Sequence, residues 1–188
     1  PRVGCVIVND GHIVGEGWHV NGGAAHAEVN ALEQAGKRAL GGTLYVTLEP
    51  CAHFGQTPPC VEAIVKSGIS RVVFAAKDPN PLVDGRGIEH LIANGISVVG
   101  DLFSQKSEEL NAGFFKRMKS GKPWVRVKVA AGLDGKTALE NGRSQWITSE
   151  ESRVDAHKLR AQSCVVLTGV GTVVEDDPRL TVRHIETN

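Results

Sequence analysis

Strand-forming and helix-forming stretches alternate from Val3 to Val99, and no other feature of the sequence narrows the possible architectures as far. Val3 to Val8 and His12 to Trp18 are separated by Asn9-Asp10-Gly11. These three residue types tolerate the positive φ of a tight turn, so the pair predicts a hairpin. A helix is predicted from about Ala27 to Ala39, with Val29, Leu32 and Ala35 near helical spacing and Gly41-Gly42 as a stop. Thr43 to Leu48 is β-rich, Val61 to Lys66 reads as a helix after Thr57-Pro58-Pro59, and Arg71 to Ala76 as a second buried strand. Gly87 to Ala93 predicts another helix and Ile96 to Val99 a short strand. Such alternation implies an α/β fold, a layered sheet with some parallel pairing.

From Asp101 to Pro123 the chain turns polar, with a helix predicted over Ser107 to Met118, and it closes in Ser120-Gly121-Lys122-Pro123. A domain boundary belongs there, giving domains 1–122 and 123–188. Beyond it, Trp124 to Ala131 and Cys164 to Thr168 read as strands, Leu133-Asp134-Gly135 as a turn, and Ser149 to Ala161 as a helix capped by Thr148 or Ser149. The second part is short for an α/β domain of its own, so it is expected to be cut short at Asn188. Pro1 leads almost at once into the apolar run at Val3, and an N-terminal piece is expected to be missing as well.

Lys and Arg balance Asp and Glu at a formal net charge of zero, with no long basic run, which disfavours a nucleic-acid partner. No apolar stretch approaches the roughly 18 residues needed to span a bilayer, and the first residues given are not a basic segment leading into a cleavable apolar one. Four cysteines are too few for a disulfide framework in a chain of this length. A cytoplasmic, reducing setting without a membrane is expected.

His26-Ala27-Glu28 opens the first predicted helix, Pro50-Cys51 follows a predicted strand, and Cys60 stands where the next helix begins. One nitrogen and two sulfur ligands are what a catalytic zinc takes, since the fourth tetrahedral position stays open for water. Zinc lowers the pKa of that water to about 7, and a nearby carboxylate must then move the protons. Glu28 is the candidate. Residues two apart diverge by about 200° on a helix, so His26 and Glu28 can meet one metal only at a frayed first turn. Pro58 suits the N1 position ahead of Cys60, where the helix dipole favours a thiolate. Two other readings remain: buried small cysteines with a surface histidine, and a purely structural zinc module with His53 as fourth ligand. Neither gives Glu28 a purpose.

His-x-E followed by P-C and a second cysteine is the zinc deaminase signature, although here eight residues separate Cys51 from Cys60 where nucleoside and tRNA deaminases have two. That long loop closely resembles the bifunctional riboflavin-biosynthesis deaminase/reductases. So do Pro1-Arg2-Val3-Gly4-Cys5, Lys77-Asp78-Pro79-Asn80-Pro81, Gly85-Arg86-Gly87, Lys128 through Lys136, Ser144-Gln145-Trp146-Ile147-Thr148 and Asp176-Asp177-Pro178. The resemblance covers nearly the whole chain. A nucleoside, cytosine or tRNA deaminase is the rival within enzymes, disfavoured by the long loop and the second domain.

The resemblance implies a three-layer cytidine-deaminase-like domain with a mixed sheet, followed by an incomplete α/β domain similar to dihydrofolate reductase. It also implies two steps on one phosphoribosylaminopyrimidine: zinc-dependent loss of the 2-amino group as ammonia, one Zn2+ per site, then NADPH-dependent reduction of the ribose. Family members form dimers or tetramers, so a homo-oligomer is expected. His19 and His53 match substrate-pocket positions, with a hairpin-end histidine and a turn-holding histidine as the plain alternatives. Gln56 stands where relatives commonly carry Lys or Arg for the phosphate, and an amide offers hydrogen bonds without charge. In the second domain Lys128, Ser144, Arg160, Leu180 and Arg183 match substrate contacts, while Ala130, Trp146, Thr172 and Asp176 match NADP contacts. Without the resemblance, Trp146 reads as a core aromatic, Arg160 as a helix-surface charge and Asp176 as a cap or turn residue. Gly169-Val170-Gly171-Thr172 lacks the third glycine of a Rossmann fingerprint and reads as a glycine-rich turn.

Overall fold

A computed structural model describes residues 1–186. Strands β1 (Gly4–Asn9) and β2 (His12–Trp18) pair antiparallel, joined by Asp10 and Gly11, both with positive φ as the Asp-Gly turn requires. Strand β3 (Thr43–Leu48) lies antiparallel to β1 and parallel to β4 (Arg71–Ala76), and β5 (Ser97–Val99) is parallel to β4. The order β2-β1-β3-β4-β5 makes one mixed sheet, as the alternation implied. Helices α1 (Ala27–Ala35), α2 (Cys60–Lys66) and α3 (Arg86–Ala93) supply the parallel crossovers and the partner for the hairpin. Leu44 and Val46 of β3 and Val72 and Phe74 of β4 point into one core with Ala31, Ile64 and Leu91 from those helices.

Helix α1 is shorter than the sequence predicts. Gly36, at φ 55, turns the chain out of the helix, and Gly36–Ala39 continues as a tighter 3-10 turn. Its buried face is a stripe of alanines, Ala27, Ala31 and Ala35, set directly on two glycines of β2. A Cβ at Gly15 would lie 2.2 Å from the Ala31 carbonyl oxygen, and one at Gly17 would lie 2.3 Å from that of Ala27. Helix and strand backbones are therefore in direct contact, which holds the start of α1 firmly against the sheet.

The single helix predicted over Ser107 to Met118 is two, α4 (Ser104–Leu110) and α5 (Ala112–Ser120), broken at Asn111. There the backbone leaves the helical region at φ −120, and the side chain of Asn111 accepts from Arg2 N at 2.7 Å and donates to Arg2 O at 2.9 Å. The break thus lets one amide pair with the backbone ahead of β1. Phe115 of α5 covers Leu48 and Ala76 at the ends of β3 and β4.

The chain divides into two compact units, Pro1–Trp124 and Val125–Asn188. In the second, α6 (Glu150–Ala161) begins as predicted, with Ser149 Oγ accepting from Ser152 N at 3.3 Å. The glycine-rich turn expected after Thr168 instead opens a helix, α7 (Val170–Asp176), with Gly169 at its cap. The strands predicted over Trp124 to Ala131 and Cys164 to Thr168 are not formed among the described residues. Both stretches lack a neighbouring strand to take up their backbone groups, and Val125, Val127, Val165 and Leu167 are exposed.

Candidate metal centre

His26 is the N-cap of α1, with extended backbone at φ −74 and ψ 161, so its ring leaves the helix sideways while Glu28 occupies the first turn. Cys51 follows Pro50 just past the end of β3, and Cys60 is itself the first residue of α2. Pro59 rather than Pro58 is the cap, which moves the sulfur, not a proline, to the first helical position. His26 Nδ1 lies 2.9 Å from Cys60 Sγ and 3.5 Å from Cys51 Sγ, and the two sulfurs are 3.4 Å apart. All three donor atoms fall within 4.8 Å of one another, a set that one metal ion can join.

The protonation pattern of this cluster follows from its contacts. Cys51 shares a thiol proton with Cys60 and accepts from the Cys60 backbone N–H at 3.3 Å, and its pKa is lowered to about 4 despite burial. Cys60 is driven the opposite way by the same shared proton and by burial. His26 is raised, chiefly by its hydrogen bond to Cys51. Glu28, only 3% exposed, is pushed up to about 7, first by burial and further by the charge on Cys51. Cys5 lies near Glu28 but is a plain buried thiol, raised by burial and then by the Glu28 charge.

Around this cluster the structure distributes the other candidates. His19 meets the His26 ring edge-on, with centroids 5.3 Å apart, and its Nδ1 lies 3.2 Å from Ala25 O. His53 sits in the loop between the cysteines with Nδ1 buried and unpartnered among the described residues, an orphan polar atom of the sort a ligand satisfies. Gln56 is exposed at the same loop, next to Gly23, whose added Cβ would lie 3.1 Å from Gln56 Oε1.

Sequence reasoning missed two residues. Thr57 Oγ1 is 3.2 Å from His26 Nε2, the ring nitrogen that faces away from the sulfurs, and no motif marks it. Glu49, just ahead of Pro50-Cys51, carries no signal in the sequence, yet it is buried and accepts backbone N–H bonds from Asp78, Gly85 and Gly87.

In the second unit the candidates fall into groups. Ser144 and Trp146 line a recess of about 450 Å³ together with Gly132, Lys136 and Arg143. Trp146 is not a core aromatic: it is 72% exposed, with the Arg153 guanidinium 4.5 Å above its ring. Arg160 and Arg183 converge on the segment carrying Leu180, donating to Thr181 O at 2.8 Å and Arg179 O at 3.0 Å respectively. Arg160 is thus more than a helix-surface charge. Thr172 and Asp176 share α7, whereas Lys128 and Ala130 lie in the stretch without helix or strand near the start of the unit.

A histidine at a helix cap, two cysteines at the ends of neighbouring elements and a buried carboxylate within the first turn of that helix define a zinc site of the cytidine-deaminase class. Residues 1–76 match the family model described as the cytidine and deoxycytidylate deaminase zinc-binding region, and residues 123–188 match the RibD C-terminal domain. The riboflavin biosynthesis protein RibD of Escherichia coli is 54% identical over 186 residues, covering 99% of this chain and 51% of that protein. The protein of the same name from Aquifex aeolicus is also 54% identical, over 100% of this chain and 52% of its own length. Among solved structures, Acinetobacter baumannii RibD superposes with a TM-score of 0.93 at 51% identity, over 99% of this chain and 52% of that one. The Thermotoga maritima diaminohydroxyphosphoribosylaminopyrimidine deaminase/5-amino-6-(5-phosphoribosylamino)uracil reductase does so at 0.92 and 43% identity, over 98% and 53%. Over nearly its whole length the chain is similar to RibD riboflavin-biosynthesis proteins, and it spans about half the length of the curated relatives it matches.

Proposed function

We propose that the first unit catalyses zinc-dependent hydrolytic deamination of 2,5-diamino-6-(5-phosphoribosylamino)pyrimidin-4(3H)-one, and that the second belongs to the NADPH-dependent reductase acting on the product. The observation that carries the first part is Glu28, a buried carboxylate poised near neutral pH two residues from the His26 donor. His26, Cys51 and Cys60 would hold the ion, and bound zinc supplies a Lewis acid that makes water nucleophilic near neutral pH. Glu28 takes a proton from the attacking water and delivers it to the ring nitrogen next to C2. As the C2–N bond breaks, Glu28 passes the second water proton to the departing amine. A C=O replaces C–NH2 and ammonia leaves, with Glu28 returned to its starting state. A carboxyl whose pKa lies near the working pH suits both halves of this relay.

His19 and His53 are the side chains nearest to hand for orienting the pyrimidine. The unpartnered Nδ1 of His53 supports this role. Gln56 would meet the phosphate with hydrogen bonds alone. In the second unit Arg160 and Arg183, with Lys128, Ser144 and Leu180, would contact the ribosyl phosphate substrate. Ala130, Trp146, Thr172 and Asp176 would contact NADPH, which when bound supplies the hydride that reduces the ribose. A cytoplasmic homo-oligomer acting on a small molecule, without nucleic acid, completes the reading. Among the described residues no helix is long and apolar enough to cross a membrane.

Replacing Glu28 by Gln tests the assignment. The variant is expected to keep one zinc per site and to lose about 10²- to 10⁴-fold in turnover. A structural zinc module would show no such loss. Ammonia release from the phosphoribosylaminopyrimidine, compared with release from cytidine, decides the substrate class.

A further inference from the structure

Glu49 is a buried acid for which the deamination chemistry has no use. It is 3% exposed and makes no ion pair among the described residues. Its carboxylate instead accepts from three backbone N–H groups 29 to 38 residues away: Asp78 N at 3.2 Å, Gly85 N at 2.9 and 3.1 Å to its two oxygens, and Gly87 N at 3.2 Å. A carboxylate satisfied by several N–H donors, with no donor of its own, is suited to this task as an amide is not.

The donors all belong to the segment that leaves the carboxyl end of β4, next to the end of β3 that carries Cys51. Crevices outside the carboxyl ends of parallel strands are where α/β sheets bind ligands. The segment is pressed hard against the zinc loop: a Cβ at Gly87 would stand 1.9 Å from Pro50 O. Gly85 takes φ 91, which an L side chain rarely adopts. Asp78 is buried at the start of the segment, where its Oδ1 accepts from Asn80 N at 2.8 Å and shapes the turn that follows.

We infer that Glu49 is a positioning residue, whose carboxylate clamps residues 78–87 onto the zinc loop and so sets the wall of the substrate pocket without touching the metal or the reacting atoms. The kinetic consequence rests on the deaminase reading above; the clamp itself does not.

The test uses the zinc-loaded protein and its Glu49→Gln variant, which keeps the shape of the side chain but turns one acceptor into a donor facing backbone N–H groups. In the unmodified protein the Gly85 and Gly87 amides should exchange with deuterium at least tenfold more slowly than the amide of Phe54, exposed in the loop between the cysteines. In the variant, exchange across 78–87 should accelerate about tenfold or more, the loss expected for a charge-assisted hydrogen bond, while α1 amides such as that of Ala31 stay unchanged. Zinc content should remain one per site, and KM for the aminopyrimidine should rise about tenfold with a smaller change in kcat, as for lost ground-state positioning. Unprotected Gly85 and Gly87 amides in the unmodified protein overturn the inference even if the variant fails to fold. So does a variant that loses zinc, or one that lowers kcat with KM unchanged. Absence of turnover by the unmodified protein counts against the deaminase reading, and amide exchange then decides the clamp alone.

Discussion

Thr57 shows what a single side chain adds outside the ligand set. Metal-binding histidines are steered by whatever their second ring nitrogen contacts, and here that contact is the Thr57 hydroxyl at 3.2 Å from His26 Nε2. The hydroxyl fixes the ring so that Nδ1 faces both sulfurs. Because Thr57 lies between Cys51 and Cys60, the unusual length of that loop gains a physical purpose: it reaches over His26. Thr57→Val should weaken zinc binding by about 10- to 100-fold, read by competition with a chromophoric chelator, and Thr57→Ser should restore most of it. The ligands themselves were legible in the sequence because their chemistry demands particular residue types at the ends of elements. Thr57 was not, since a hydroxyl in a loop carries no periodic or compositional mark. Glu49 escaped for a related reason: its partners are backbone amides, which every residue but proline offers.

Among elements, strand and helix assignments succeed where local pattern and tertiary context agree. Strands β2, β3 and β4 fall where the apolar runs place them, and α1 to α3 differ from expectation mainly at their ends. The larger failures, the predicted helix over Ser107 to Met118 and the two predicted strands in the second unit, share one cause, dependence on partners far away in sequence. Asn111 breaks the predicted helix to pair with Arg2, 109 residues away. The runs at Trp124 to Ala131 and Cys164 to Thr168 have strand composition yet no strand neighbour among the described residues. The contact of α1 with β2 is the one on which the site leans most. Gly17 leaves no room for a side chain, since its Cβ would meet Ala27 O at 2.3 Å and Ala31 N at 2.5 Å. Gly17→Ala should destabilise the first unit by about 1–3 kcal/mol in urea unfolding, the usual effect of overpacking. It should also weaken zinc binding, because Ala27 sits between His26 and Glu28 and any outward shift of α1 carries both with it.

Over the whole molecule, the metal donors belong to one unit only. His26, Cys51 and Cys60 come from the start of α1, the end of β3 and the start of α2, so an ion joining them ties together elements up to 34 residues apart. Anything that binds the folded state alone stabilises it, by about 2.7 kcal/mol when free ligand is a hundredfold above Kd. Chelation of zinc should therefore speed amide exchange in α1 and α2 while leaving α6 of the second unit unaffected, as segment-resolved deuterium uptake would report. Uniform acceleration through both units would contradict this picture. The 3.4 Å between the two sulfurs has a further consequence once the ion is gone. Two thiols that share a proton at that distance form a dithiol, with one sulfur already biased toward the reactive thiolate. Under an added oxidant the zinc-free protein is therefore expected to form a Cys51–Cys60 disulfide that the zinc-loaded protein does not, as counting free thiols would show.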